Sequence, residues 1–108
     1  MPINSRSKGA RGERAWRDVL RENGYDAKRG QQHCGGADSP DVICEDLKHF
    51  LFEVKCVEKL NIEDAMNQAR RDAGAAKTPI VAHKRNHCKW LITMDAEAFF
   101  SLIRNKPE

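Results

Sequence analysis

The run His-Phe-Leu-Phe-Glu-Val-Lys-Cys-Val at 49–57 constrains this chain more than any other segment. Side chains of a strand alternate between its two faces. Phe50, Phe52, Val54 and Cys56 therefore share one face, and Glu53 and Lys55 point together to the other. A strand this apolar belongs inside a sheet. Two charged groups on an interior strand are costly unless they are paired or bound to something.

The rest of the chain supplies what such a sheet needs. Ser7 is a candidate cap for a helix over 7–23, and Gly24 is the usual stop. Ala15, Trp16, Val19 and Leu20 form its apolar arc, with Gly12 inside it and Glu13 at its edge. A carboxylate there is drawn toward the core and needs a partner. Short strands are expected at 25–29 and 41–44, separated by a Gly-rich loop over 30–40. A turn at 45–48 leads into the 49–57 strand. Asn61 caps a second helix, whose apolar side is Ile62, Ala65, Met66, Ala69 and Ala73 and whose stop is Gly74. Strands at 78–83 and 88–94 flank a turn at 85–87, and Asp95 caps a last helix. The order α-β-β-β-α-β-β-α predicts an α/β fold: one domain over 1–108, with a central mixed sheet of about five strands flanked by helices. Residues 1–6 read as a flexible basic arm.

Charge is uneven. Residues 1–29 carry eight Lys and Arg against four acids, and 77–89 carry Lys77, Lys84, Arg85 and Lys89 with no acid. Clustered basic charge attracts and steers polyanions, although a solvated surface accounts for such patches equally well. The first residues are polar, without the apolar core of a signal peptide, and no run approaches membrane-spanning length. Four cysteines, Cys34, Cys44, Cys56 and Cys88, are expected as free thiols in a reducing, cytoplasmic setting.

A hairpin centred near Leu47 places Asp41 opposite Glu53. Directly opposed like charges destabilise a sheet, so one carboxyl stays protonated or a cation sits between them. Oxygen donors at this density suit Mg²⁺ or Mn²⁺. Lys55 projects toward the same place, where it can hold an attacking water or steady charge developing on a phosphate. The plain alternative is a strand salt bridge between Glu53 and Lys55, with Asp41 capping a turn.

Pro40-Asp41 followed by Glu53-Val54-Lys55 resembles the PD-(D/E)xK nuclease signature. Upstream, Lys8-Gly9-Ala10-Arg11-Gly12-Glu13-Arg14 resembles the first-helix motif of the archaeal-type Holliday junction resolvases in that superfamily. The resemblance implies a restriction-endonuclease-like fold. It implies Asp41, Glu53 and the Val54 carbonyl as metal ligands, with Glu13 completing the acidic cluster and Lys55 as the catalytic lysine. Ser39 matches the small polar residue before the catalytic aspartate, and Gln68 a helix glutamine common in the superfamily. An equal alternative for Gln68 is an ordinary surface amide. Arg6, Lys8, Arg11, Lys84 and Arg85 are candidate phosphate contacts, which position DNA without reading its sequence.

The expected function is a metal-dependent, structure-selective DNA endonuclease resolving four-way junctions. The similar family works as homodimers, and the junction is itself two-fold symmetric. Phe99, Phe100, Leu102 and Ile103 give the last helix more apolar surface than one face needs, and so offer a dimer contact. The alternatives are a nicking, flap or general DNA-processing nuclease, a non-catalytic DNA-binding module, and a structural zinc protein. His33-Cys34 and His87-Cys88 fall outside the signature. They lack the usual spacing of zinc ligands, so exposure or phosphate contact is the expected role. Trp16 and Trp90 are expected in the core rather than as base-stacking platforms.

Overall fold

The computed structural model describes the backbone of residues 5–29 and 42–104, and side chains of 9–28 and 42–104. The charged apolar segment is the central strand. In order, the elements are α1 (Ser5–Glu22), β1 (Ala27–Arg29), β2 (Val42–Cys44), a 3-10 turn (Glu45–Leu47), β3 (Phe50–Cys56), α2 (Ile62–Ala73), β4 (Thr78–Lys84), β5 (Leu91–Met94) and α3 (Ala96–Arg104). This is the predicted order, in one α/β domain.

The five strands lie in the sheet in chain order, β1-β2-β3-β4-β5. Among the described strands only the β3–β4 pair is parallel, and α2 makes the crossover that a parallel pair requires. Val42 pairs with Phe52, which is the register of a hairpin centred on Leu47. Phe52 and Val54 face α1 and pack with Trp16, Leu20, Ala27, Val42, Cys44, Ile80 and Ala82. On the opposite face Leu51 and Val81 pack against Ala65, Met66, Ala69 and Ala73 of α2. Three alanines on α2 let that helix lie close to the sheet. Trp16 meets Phe52 edge-on and Trp90 at a tilt, with centroids 5.6 and 5.1 Å apart. Both tryptophans belong to the core packing, as expected.

The helix ends follow their local chemistry. Gly24 at φ +91° ends α1, with Tyr25 N–H donating to the Leu20 carbonyl and Gly24 N–H to that of Arg21. The Asn61 side chain accepts from Asp64 N–H and caps α2. Three boundaries differ from expectation. Helix α1 begins at Ser5, so Ser7 is inside it, and Ser5 and Arg6 of the expected arm are helical. The last strand begins at Leu91 rather than at 88, because the chain is still turning at 86–88. His87 there takes φ +61°, and Asn86 N–H donates to Glu58 Oε2 at 2.6 Å. Asp95 precedes α3 as predicted, and its carbonyl accepts from Phe99 N–H, but its carboxylate is taken by Arg70.

Candidate active site

Strand β3 carries the charged pair. The parallel register sets Glu53 beside Val81 and Lys55 beside His83. Glu53 is only 4% exposed, because β3 is central and α2 covers its face of the sheet. Lys55 Nζ lies 3.5 Å from Glu53 Oε1. The same ammonium reaches the amide of Gln68 on α2, at 3.4 Å from its Oε1. The sheet thus turns Glu53 and Lys55 to the α2 side, and α2 returns Gln68 to them. Gln68 is half-buried in this contact.

Glu13 is 8% exposed and is one of two buried charged residues among those described, the other being Glu53. Its helix covers the opposite face of the sheet, and Gly12 beside it lets that helix come close. A Cβ built on Gly12 would stand 3.0 Å from Cys56 Sγ and 3.4 Å from Cys56 Cβ. Asp41, Ser39 and the Gly-rich loop of 30–40 lie outside the described residues, as do His33 and Cys34. Among the described residues, no three His, Cys, Asp or Glu side chains are grouped to hold a metal. Cys44, Cys56 and Cys88 are free thiols, as expected.

Of the candidate phosphate contacts, Arg11, Lys84 and Arg85 line one cavity of about 470 Å³ with Gly12 and Cys56. Burial pushes the Cys56 thiol up, partly offset by the Lys84 charge. Arg6 and Lys8 are on α1, with side chains outside the described set.

Sequence reasoning passed over His83. Its Nε2 is 2.8 Å from Thr93 Oγ1 on β5, and burial holds its pKa below the usual imidazole value. The β3–β4 register makes it the neighbour of Lys55.

The family model of the archaeal Holliday junction resolvase (Hjc) matches residues 4–97, which includes every candidate site residue named above. The chain belongs to this resolvase family. Its chemistry is that of a structure-selective, metal-dependent DNA endonuclease of the PD-(D/E)xK superfamily. Among solved structures, the chain is similar to Hjc of Archaeoglobus fulgidus, described as a Holliday junction resolvase from an archaeal hyperthermophile. The two share 26% identity with a TM-score of 0.58, over 81% of this chain and 72% of that one. No curated protein matches the chain. Among the described residues, no helix of this family member is long and apolar enough to cross a membrane.

Proposed function

We propose that the chain is a Mg²⁺-dependent endonuclease that hydrolyses phosphodiester bonds at four-way DNA junctions, acting inside the cell as a homodimer. The observation that carries this reading is the buried Glu53 on an interior strand, with Lys55 against it and Gln68 against Lys55. A buried carboxylate against a half-buried ammonium is a costly structural device, since apolar residues of similar volume fill such a site as well or better. It is well suited to gathering charge around a phosphate.

The proposed donors suit a hard divalent ion by their chemistry rather than by a grouping among the described residues. Carboxylates of Glu13, Asp41 and Glu53 and the Val54 carbonyl are the proposed ligands, all oxygen, which suits Mg²⁺ and admits Mn²⁺. Such an ion, when bound, supplies Lewis acidity that lowers the pKa of water and offsets charge at phosphorus. Lys55 orients the attacking water or stabilises the charge that develops on the phosphate oxygens. Gln68 holds the ammonium in place, and Ser39, two positions before Asp41 in the sequence, is a proposed accessory residue. The water oxygen bonds to phosphorus as the bond to the leaving oxygen breaks. Arg6, Lys8, Arg11, Lys84 and Arg85 receive backbone phosphates, which position DNA by shape rather than by sequence.

For the dimer, α3 supplies the surface. It buries none of its residues, and Phe99, Phe100, Leu102 and Ile103 are all exposed. A contiguous apolar patch of this kind marks an interaction site. Two active sites related by a two-fold axis match the symmetry of the junction.

The test is a substrate panel: a labelled four-way junction, linear duplex, flap and single strand, each with Mg²⁺ and with EDTA. Paired symmetric cuts confined to the junction, lost in EDTA, are expected. Cutting across the panel places the activity in general DNA processing. Tight binding without cutting in Mg²⁺ or Mn²⁺ identifies a binding module.

A further inference from the structure

Beside Lys55 the sheet opens into a second cavity, of about 500 Å³, whose apolar walls the catalytic reading does not use. Pockets for small ligands span roughly 300–1,000 Å³, so this one has room for a nucleobase and its sugar. Its walls include Leu60, Ile62 and Leu91, and His83 lines it as well. His83 is the register partner of Lys55, so the cavity begins one strand away from the catalytic ammonium. Neighbouring strands lie about 4.8 Å apart.

The rim is basic. Lys59, Lys84, Arg85 and Lys89 line the cavity, against the single acid Glu58. That carboxylate already accepts from Asn86 N–H at 2.6 Å. An apolar floor, an imidazole ring and a cationic rim suit a ligand with a flat base and phosphates at its edges.

We propose that this cavity receives a nucleotide unstacked at the branch point of the DNA strand that passes Lys55, with its base against Ile62 and His83 and its flanking phosphates on Lys59 and Lys89. The proposal rests on the endonuclease reading above and deepens it. Extruding a base costs least where its neighbours hold it least, and at a branch point the continuous stack is interrupted. The cavity thus favours branched over linear DNA through an apolar contact that a perfect duplex does not offer.

The experiment uses four-way junctions carrying 2-aminopurine at each nucleotide flanking the branch, with Ca²⁺ in place of Mg²⁺ so that the strands stay intact. 2-Aminopurine brightens when it leaves the stack. Binding of the wild type is expected to raise the signal several-fold at one flanking position. Ile62→Trp fills the cavity and is expected to remove that rise. It should weaken junction binding about tenfold, the scale of one lost base contact, while leaving duplex binding unchanged. Lys59→Glu, at an exposed position, is expected to weaken junction binding similarly in a protein with unaltered circular dichroism. A wild type that binds the junction without a rise, or an equal rise in all three proteins, overturns the proposal. A wild type that binds no junction overturns the endonuclease reading itself, and the cavity's role with it.

Discussion

Lys55 is held from two sides: by Glu53 on its own strand, 3.5 Å away, and by Gln68 across the helix–sheet interface, 3.4 Å away. The two contacts differ in kind. One neutralises the ammonium, and the other only directs it. Lys55→Ala is expected to lower kcat about 10²–10³-fold, the scale for losing a group that stabilises transition-state charge. Gln68→Ala keeps the charge and loses only its placement, so a fall of about tenfold to a hundredfold is expected. Single-turnover cleavage of a labelled junction separates the two. A Gln68→Ala enzyme as active as the wild type contradicts the positioning role.

Gly12 and Cys56 set how closely α1 approaches β3. A helix-interior glycine costs about 1 kcal/mol relative to alanine, so Gly12→Ala gains that much only if the new methyl has room. It meets Cys56 Sγ at 3.0 Å. Thermal unfolding of the two single variants and the double variant measures the coupling. Gly12→Ala is expected to be better tolerated by roughly 1 kcal/mol when Cys56→Ala is also present. Strict additivity contradicts the close approach.

Much of this site was legible because it rests on short periods. Alternation in the 49–57 strand placed Glu53 and Lys55 on one side, and the helical arc placed Glu13 at the core's edge. The hairpin register followed from one turn, and Val42 does pair with Phe52. The association of Lys55 with His83 was not legible, since parallel strands pair through a crossover whose register no local pattern encodes. The 88–90 segment departs from its local pattern for a related reason. Its residues look strand-like, but the Asn86 bond to Glu58 keeps the chain turning, and Trp90 packs on Trp16. The local pattern makes Asp95 a cap, yet its carboxylate is committed to Arg70, a partner remote in sequence.

That Arg70–Asp95 pair ties α2 to the start of α3. Hydrogen bonding from Arg70 holds the Asp95 carboxyl below the usual carboxylate range. A carboxyl whose pKa is depressed by folding contributes stability above its unfolded value, near pH 4, and loses it as pH falls through the folded value. Asp95→Asn is therefore expected to melt lower than the wild type at pH 7. The gap should close as pH drops below about 4. A gap that is constant with pH contradicts the ionic origin.

The exposed face of α3 makes its own prediction. Phe100 is 53% exposed, so Phe100→Asp removes no core packing and should leave the fold intact. Light scattering is expected to show a dimer for the wild type and a monomer for the variant. An undiminished dimer after Phe100→Asp contradicts the assignment of α3 as the contact.

The most direct test of the central claim is cleavage and binding of a labelled four-way junction by Glu53→Ala beside the wild type, in Mg²⁺. Loss of cleavage with binding largely kept is the predicted result, because Glu53 is assigned to holding the metal rather than the DNA. Undiminished Mg²⁺-dependent cleavage by purified Glu53→Ala would contradict the assignment of the active centre.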